Sequence, residues 1–199
     1  MLALVSCTAA TTEPGVGAEA FTAGDSQEAR TTRGAGPLFP AALGYEWTYA
    51  TTYTGSAPQT QTTRVTGRQT VDGRDAWVIE TTWSTSLVRR FAAIDGDDVV
   101  MSDTGQGDWF PHLKTPIAEG ASWTYWYAGD RRQTWTEVGA QTVAAGTFED
   151  CWRVDHFVSS MAPSDVNYFI MCRGVGHVLQ VIKLANGYEL HQELMSKSF

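Results

Sequence analysis

Phe148-Glu149-Asp150-Cys151-Trp152-Arg153-Val154-Asp155-His156-Phe157-Val158 alternates. Phe148, Trp152, Val154 and Val158 share one parity, and Glu149, Arg153 and Asp155 share the other. A period of two is that of a β-strand with one buried and one solvated face. The same habit runs outward from this stretch in both directions. After Pro37 the chain breaks into short runs rich in Thr, Val, Trp and Tyr, separated by Gly, Asp and Asn. Expected strands cover 45–53, 61–70, 76–83, 87–93, 98–102, 121–128, 132–142, 148–158, 166–172, 177–184 and 188–194. No segment after Pro37 carries the apolar stripe of a helix. The fold class is therefore all-β and antiparallel.

Two halves of this region repeat each other. Gly44-Tyr45-Glu46-Trp47-Thr48-Tyr49 recurs as Gly120-Ala121-Ser122-Trp123-Thr124-Tyr125. Gly67-Arg68-Gln69-Thr70-Val71 recurs as Gly139-Ala140-Gln141-Thr142-Val143, and Ala76-Trp77-Val78-Ile79-Glu80 matches Cys151-Trp152-Arg153-Val154-Asp155. Three matches in the same order point to a duplicated unit of roughly 75 residues, with repeats spanning about 44–110 and 120–195. Two copies are too few for a solenoid. A curved sheet or closed barrel is expected, because closure removes exposed strand edges.

Composition narrows the function. The 199-residue chain carries 22 acidic and 14 basic side chains, a formal charge of −8. It has no basic run with which to displace counterions from nucleic acid, so no nucleic-acid partner is expected. Hydrophobic residues make up 43% of the chain, with eight Trp, which is enough to bury a core. No run of eighteen or more apolar residues occurs that would form a membrane-spanning helix.

The N-terminus reads differently from the rest. Met1-Leu2-Ala3-Leu4-Val5-Ser6-Cys7 is apolar up to a small residue and a cysteine, and it resembles a bacterial lipobox. That resemblance implies that residues 1–6 are the remnant of a signal peptide and that Cys7 is lipidated and anchors the chain in a membrane. Thr8 stands where an inner-membrane retention signal would place Asp, so the resemblance implies an outer-membrane or cell-surface location. The apolar stretch is shorter than a full signal, which leaves open whether the true start lies upstream of Met1. The other reading is an unmodified N-terminal Cys. From Cys7 to residue 36 the chain is dominated by Ala, Thr, Gly and Glu, with almost no large apolar side chain except Phe21. Such a segment buries too little to offset its conformational entropy and reads as a tether. Residues 37–199 then form a single β domain.

With Cys7 assigned to the anchor, Cys151 and Cys172 remain as a pair. A hairpin centred near Ala162 sets them nearly opposite each other, and opposed residues of antiparallel strands are close enough for a disulfide. A bridge fits an exported protein; two reduced cysteines are the alternative. No linear motif for hydrolase, phosphate-binding or zinc-protease chemistry occurs, and no cofactor or metal is expected. His112, His156, His177 and His191 lack metal-ligand spacing. Asp95-Gly96-Asp97-Asp98, with Asp103 and Asp108, could offer oxygens to calcium but reads first as a solvated turn. Arg89-Arg90 and Arg131-Arg132 read as edge charges.

Together, the lipobox, the Gly-x-x-Trp-Thr-Tyr pattern, Ala145-Gly146-Thr147-Phe148-Glu149-Asp150-Cys151 and Arg173-Gly174-Val175-Gly176 are similar to a group of uncharacterised bacterial envelope lipoproteins. The overall build is similar to that of periplasmic lipoprotein carriers, although the helices that cover the sheet in those carriers are lacking here. That group brings no established activity; the tether, the missing catalytic motif and a surplus of aromatics point instead to a membrane-anchored, non-enzymatic binding or interaction module whose partner is an envelope protein or an amphiphile. Trp109, Phe110, Trp126 and Trp135 are the expected exposed contact aromatics, because Trp126 and Trp135 break the parity of their neighbours. The alternative is an envelope enzyme with a site inside the barrel, built from Asp150 and His156, which share the inward parity, together with His191.

Overall fold

The computed structural model describes residues 38–84, 86–127 and 129–199; Cys7, the signal remnant and the tether lie outside the described residues. Twelve strands follow one another: β1 Glu46–Tyr53, β2 Gln59–Val71, β3 Arg74–Trp83, β4 Ser86–Asp95, β5 Asp98–Ser102, β6 Phe110–Leu113, β7 Ser122–Trp126, β8 Asp130–Val143, β9 Gly146–Val158, β10 Val166–Cys172, β11 Gly176–Lys183 and β12 Glu189–Ser198. All belong to one antiparallel sheet in the order β6-β5-β4-β3-β2-β1-β12-β11-β10-β9-β8-β7. The sheet curls into a nearly closed barrel. Each expected strand overlaps an observed one, and β6 was not among those expected.

The chain runs as two six-strand meanders, joined where β1 pairs with β12 over eight residues. Local details recur in both. Gly44 and Gly120 sit at φ +86° and +74° and open equivalent turns, since a left-handed backbone favours residues without a Cβ. Gly44 N donates to Val65 O and Val65 N to Tyr45 O; likewise Gly120 N donates to Trp135 O and Trp135 N to Ala121 O, all at 2.9 Å. Bulges fall at Val65/Gly67 in β2 and at Glu137/Gly139 in β8. An extra residue at these points bends and twists a long strand so that its two ends serve different parts of the sheet.

The inner face packs Leu38, Val99, Leu113, Ile117, Trp135, Trp152, Val154 and Met171 into one cluster. Side chains from both meanders therefore meet across the barrel. Trp135 and Trp152 cross edge to face with centroids 6.5 Å apart, a geometry aromatic quadrupoles favour. The segment leading into β1 runs into this cluster: Leu38 is fully buried and Phe39 packs beside it. Outer faces are covered as well. Trp109 closes over Val71, Val78, Phe91 and Val100, and Asp108 pins the loop before it by accepting from the backbone N–H groups of Asp103 and Thr104. Gly105, at φ +71°, lies so close to Phe91 that a Cβ would come within 2.6 Å of the ring. The tip of the β8–β9 hairpin folds back onto β12, with Ala145 N donating to Leu194 O.

Cys151 and Cys172 are direct cross-strand partners and form a disulfide, with Cα atoms 4.0 Å apart. In the first meander Trp77 pairs with Ala92 as Trp152 pairs with Met171. One step along that register sets buried Ala76 opposite buried Ala93. Ala76→Cys with Ala93→Cys is therefore expected to form a second bridge under oxidising conditions, stabilising the domain by about 3 kcal/mol for a loop of this length. Thiol titration and urea unfolding read the result; two free thiols in the folded variant would break the correspondence between the halves.

Candidate functional site

Eleven of the twelve junctions around the barrel are backbone ladders. The twelfth, between β6 and β7, is not: the two strands are the ends of the sheet. The cause lies in β6. Its four residues include Pro111, which has no N–H to donate and is tolerated only at an edge. Side chains close the seam instead. Phe110 stacks on Tyr127 with centroids 4.0 Å apart. The Tyr127 hydroxyl donates to Asp103 Oδ2 at 2.7 Å, and Arg90 Nε donates to Asp103 Oδ1 at 2.8 Å. The hydrogen bond to Asp103 raises the Tyr127 pKa to about 12. Gln133 Nε2 reaches from β8 behind β7 to the His112 carbonyl, 2.9 Å away.

Behind the seam lies a compartment of neutral polar groups. Gln133 Nε2 also donates to the Tyr125 hydroxyl at 3.2 Å, and that hydroxyl lies 3.0 Å from His156 Nε2. Phe169 stacks on His112 and meets His177 edge on. His177 Nε2 donates to Leu179 O at 2.9 Å. Burial lowers all three imidazoles, His112 to about 3 and His156 and His177 to about 4. Burial also raises Tyr125 and Tyr49 above the ordinary phenol range.

Three polar atoms in this region are buried and have no hydrogen-bond partner: Trp123 Nε1, Gln133 Oε1 and Trp135 Nε1. Trp123 is directly opposite Gln133, so both point to one face, and Trp135 follows Gln133 on that face two residues along. Buried groups of this kind are rare, because each forfeits its bonds to water.

The expected contact aromatics do not form one surface. Trp126 is 74% exposed, whereas Trp135 is fully buried in the inner cluster. The parity reading of Trp135 failed because the β8 bulge at Glu137/Gly139 reverses the alternation within the strand; on its own side of the bulge Trp135 is opposite buried Val154. Trp109 covers the outer cluster, and Phe110 belongs to the seam. The enzyme constellation is dispersed. Asp150 has a left-handed backbone (φ +54°) that takes it out of the alternation of β9, and it pairs with Arg173 at 2.9 Å. His156 lies six residues further on, about 20 Å along the strand, and His191 is exposed on β12 opposite Thr52. The acidic residues are divided among separate partners: Asp95 pairs with Arg74, Asp98 with Lys114, and Asp103 with Arg90. Among the described residues no group of three His, Cys, Asp or Glu gathers as metal ligands.

Two surface pockets lie elsewhere among the described residues. An apolar one of about 210 Å³ lies between Phe39–Ala41 and Trp77, Ile94 and Val99. Another of about 340 Å³ lies beside Tyr53, Lys183, Glu189 and His191. Neither borders the seam.

The fold is shared with a solved protein. A protein described as exported, with YmcC-like fold, from Bacteroides fragilis matches 80% of this chain and 98% of its own length at 11% identity, with a TM-score of 0.51. A protein described as a lipoprotein, from Parabacteroides distasonis, matches 81% of this chain and 98% of its own at 11% identity, with a TM-score of 0.47. At that identity the first likeness shows the fold alone, and the second carries no argument. No family model matches the chain, and no curated protein does.

Two outcomes follow from this geometry. Trp135→Ala is expected to cost about 3–5 kcal/mol of stability, while Trp126→Ala changes it by less than about 0.5 kcal/mol, both read from urea unfolding. The buried histidines set a pH dependence. Their folded-state pKa values lie below the ordinary 6.5, so the unfolded chain binds protons first, and stability complete above pH 6.5 falls as pH drops toward 4. Each tenfold loss of proton affinity on folding corresponds to about 1.4 kcal/mol. A midpoint that stays flat over this window in a pH series would show the imidazoles to be solvated.

Proposed function

We propose that this chain is an envelope lipoprotein: a lipid on Cys7 holds it at a membrane, residues 8–36 act as a spacer, and a β domain descended from a duplicated unit serves as a non-enzymatic interaction module. The observation that carries export is the Cys151–Cys172 bridge, buried between directly paired strands. Such bridges persist in oxidising compartments. The fold shared with a Bacteroides fragilis protein described as exported supports the same reading, as do the lipobox-like residues and the thin spacer.

The partner is better read as an envelope protein than as an amphiphile held inside the barrel. Leu38, Trp135 and Trp152 fill the inner cluster, so the lumen is occupied by the chain's own side chains. The seam, by contrast, presents two strand edges that main-chain groups of another polypeptide can pair with.

Cys7→Ser tests the anchor. The unaltered protein is expected in the membrane fraction with a mass above that of its polypeptide by the acyl groups. The variant is expected in the soluble fraction with its disulfide intact. A soluble unaltered protein with a free Cys7 thiol would remove the lipoprotein reading.

A further inference from the structure

We infer that the β6/β7 seam takes up an extended polypeptide segment of a partner protein, which adds to the free edge of β7 and offers a main-chain carbonyl to the Trp123 indole. The inference rests on the interaction-module reading and gives it a place and a chemistry.

The molecule itself holds the comparison. β1 carries Trp47-Thr48-Tyr49, and β7 carries Trp123-Thr124-Tyr125 at the corresponding point of the second meander. β1 is paired on both sides, with β2 and β12. β7 is paired only with β8. Where β1 has the ten-residue strand β12, β7 faces the four-residue, proline-bearing β6 without a ladder. The edge of β7 is thus the one half of a repeated pairing that lacks its other half.

The indoles point the same way. Trp47 Nε1 donates to the main-chain carbonyl of Val175 at 2.7 Å. Trp123 Nε1 is buried and has no partner. A buried N–H with no acceptor costs free energy, and at Trp47 a main-chain carbonyl of the β10–β11 turn, from outside the strands paired with β1, satisfies it. Gln133 Oε1, unpartnered on the same face, offers an acceptor to a backbone N–H of the same segment.

The incoming segment is expected to resemble β12, whose Leu194, Ser196 and Lys197 lie opposite Tyr49, Thr48 and Trp47. It would carry an apolar residue opposite Tyr125 and polar residues toward the end near Trp123. Room is made by releasing three contacts: the Phe110–Tyr127 stack, the Tyr127–Asp103 hydrogen bond, and the bond from Gln133 to the His112 carbonyl.

The test uses the full-length protein, labelled for NMR, and a synthetic peptide with the sequence of residues 189–198, titrated to millimolar concentration beside a scrambled control. Saturable shifts are expected at the Ser122–Trp126 amides and the Trp123 indole N–H, for the native peptide only. Trp123→Phe is expected to weaken binding about tenfold, the equivalent of one hydrogen bond to a buried donor. Tyr127→Phe, which removes the bond to Asp103, is expected to tighten it several-fold. The inference is overturned by no shift, by shifts at Glu46–Tyr53 instead, by equal shifts from the scrambled peptide, or by affinity that neither variant changes. It is overturned too if the Ser122–Trp126 resonances of the protein alone depend on its concentration, because a second copy then fills the seam. None of these outcomes bears on the anchor, which the membrane partition of Cys7→Ser reads separately.

Discussion

A β-strand presents its main-chain donors and acceptors on both edges, and a sheet is complete only when every edge finds a partner. In this domain that requirement is met by winding two meanders in succession and joining the first strand to the last. The β1–β12 ladder holds the halves together, and without it the inner cluster would have no second wall. Closure is then one junction short. The curl brings β6 and β7 side by side, but Pro111 and the shortness of β6 leave side chains to do what the backbone does elsewhere.

The interior follows from the same geometry. Bulges at corresponding places in β2 and β8 let long strands turn across the barrel, so Trp135 and Trp152 of the second meander meet Val99 and Leu113 of the first. The incoming segment at Leu38 and Phe39 fills what remains. Histidines inside such a packed space stay neutral, since a charge there would lose its hydration without gaining an ion-pair partner. They contribute as flat, hydrogen-bonding aromatic surfaces, with His112 and His177 on either side of Phe169 and His156 bonded to Tyr125.

Much of the fold was legible in the sequence, because period-two alternation and turn residues are local signals. Phe148 to Val158 announced itself, and the spacing of Cys151 and Cys172 about a turn near Ala162 was enough to place them opposite each other. Phe110-Pro111-His112-Leu113 left no such trace: four residues are too few to alternate, and the proline argues against a strand. Trp135 was misplaced because parity holds only up to a bulge, and the β8 bulge is not visible in the sequence. The seam was illegible for a deeper reason. It is defined by which strands fail to pair after the chain has curled through twelve of them, and no local pattern records that. The one trace was the repeated Trp-Thr-Tyr, whose two copies turn out to have different surroundings.

The central claim is that one junction of this barrel is closed by side chains while its counterpart is closed by backbone. Amide hydrogen exchange under native conditions, residue by residue, tests it most directly, because exchange reports the free energy of opening each hydrogen bond. Amides of Glu46–Tyr53 are expected to exchange only near the global unfolding rate, while those of Ser122–Trp126 and Phe110–Leu113 that face the seam exchange orders of magnitude faster. Equal protection of β1 and β7 would mean that the seam is a ladder in solution, and the distinction between the two junctions would be gone.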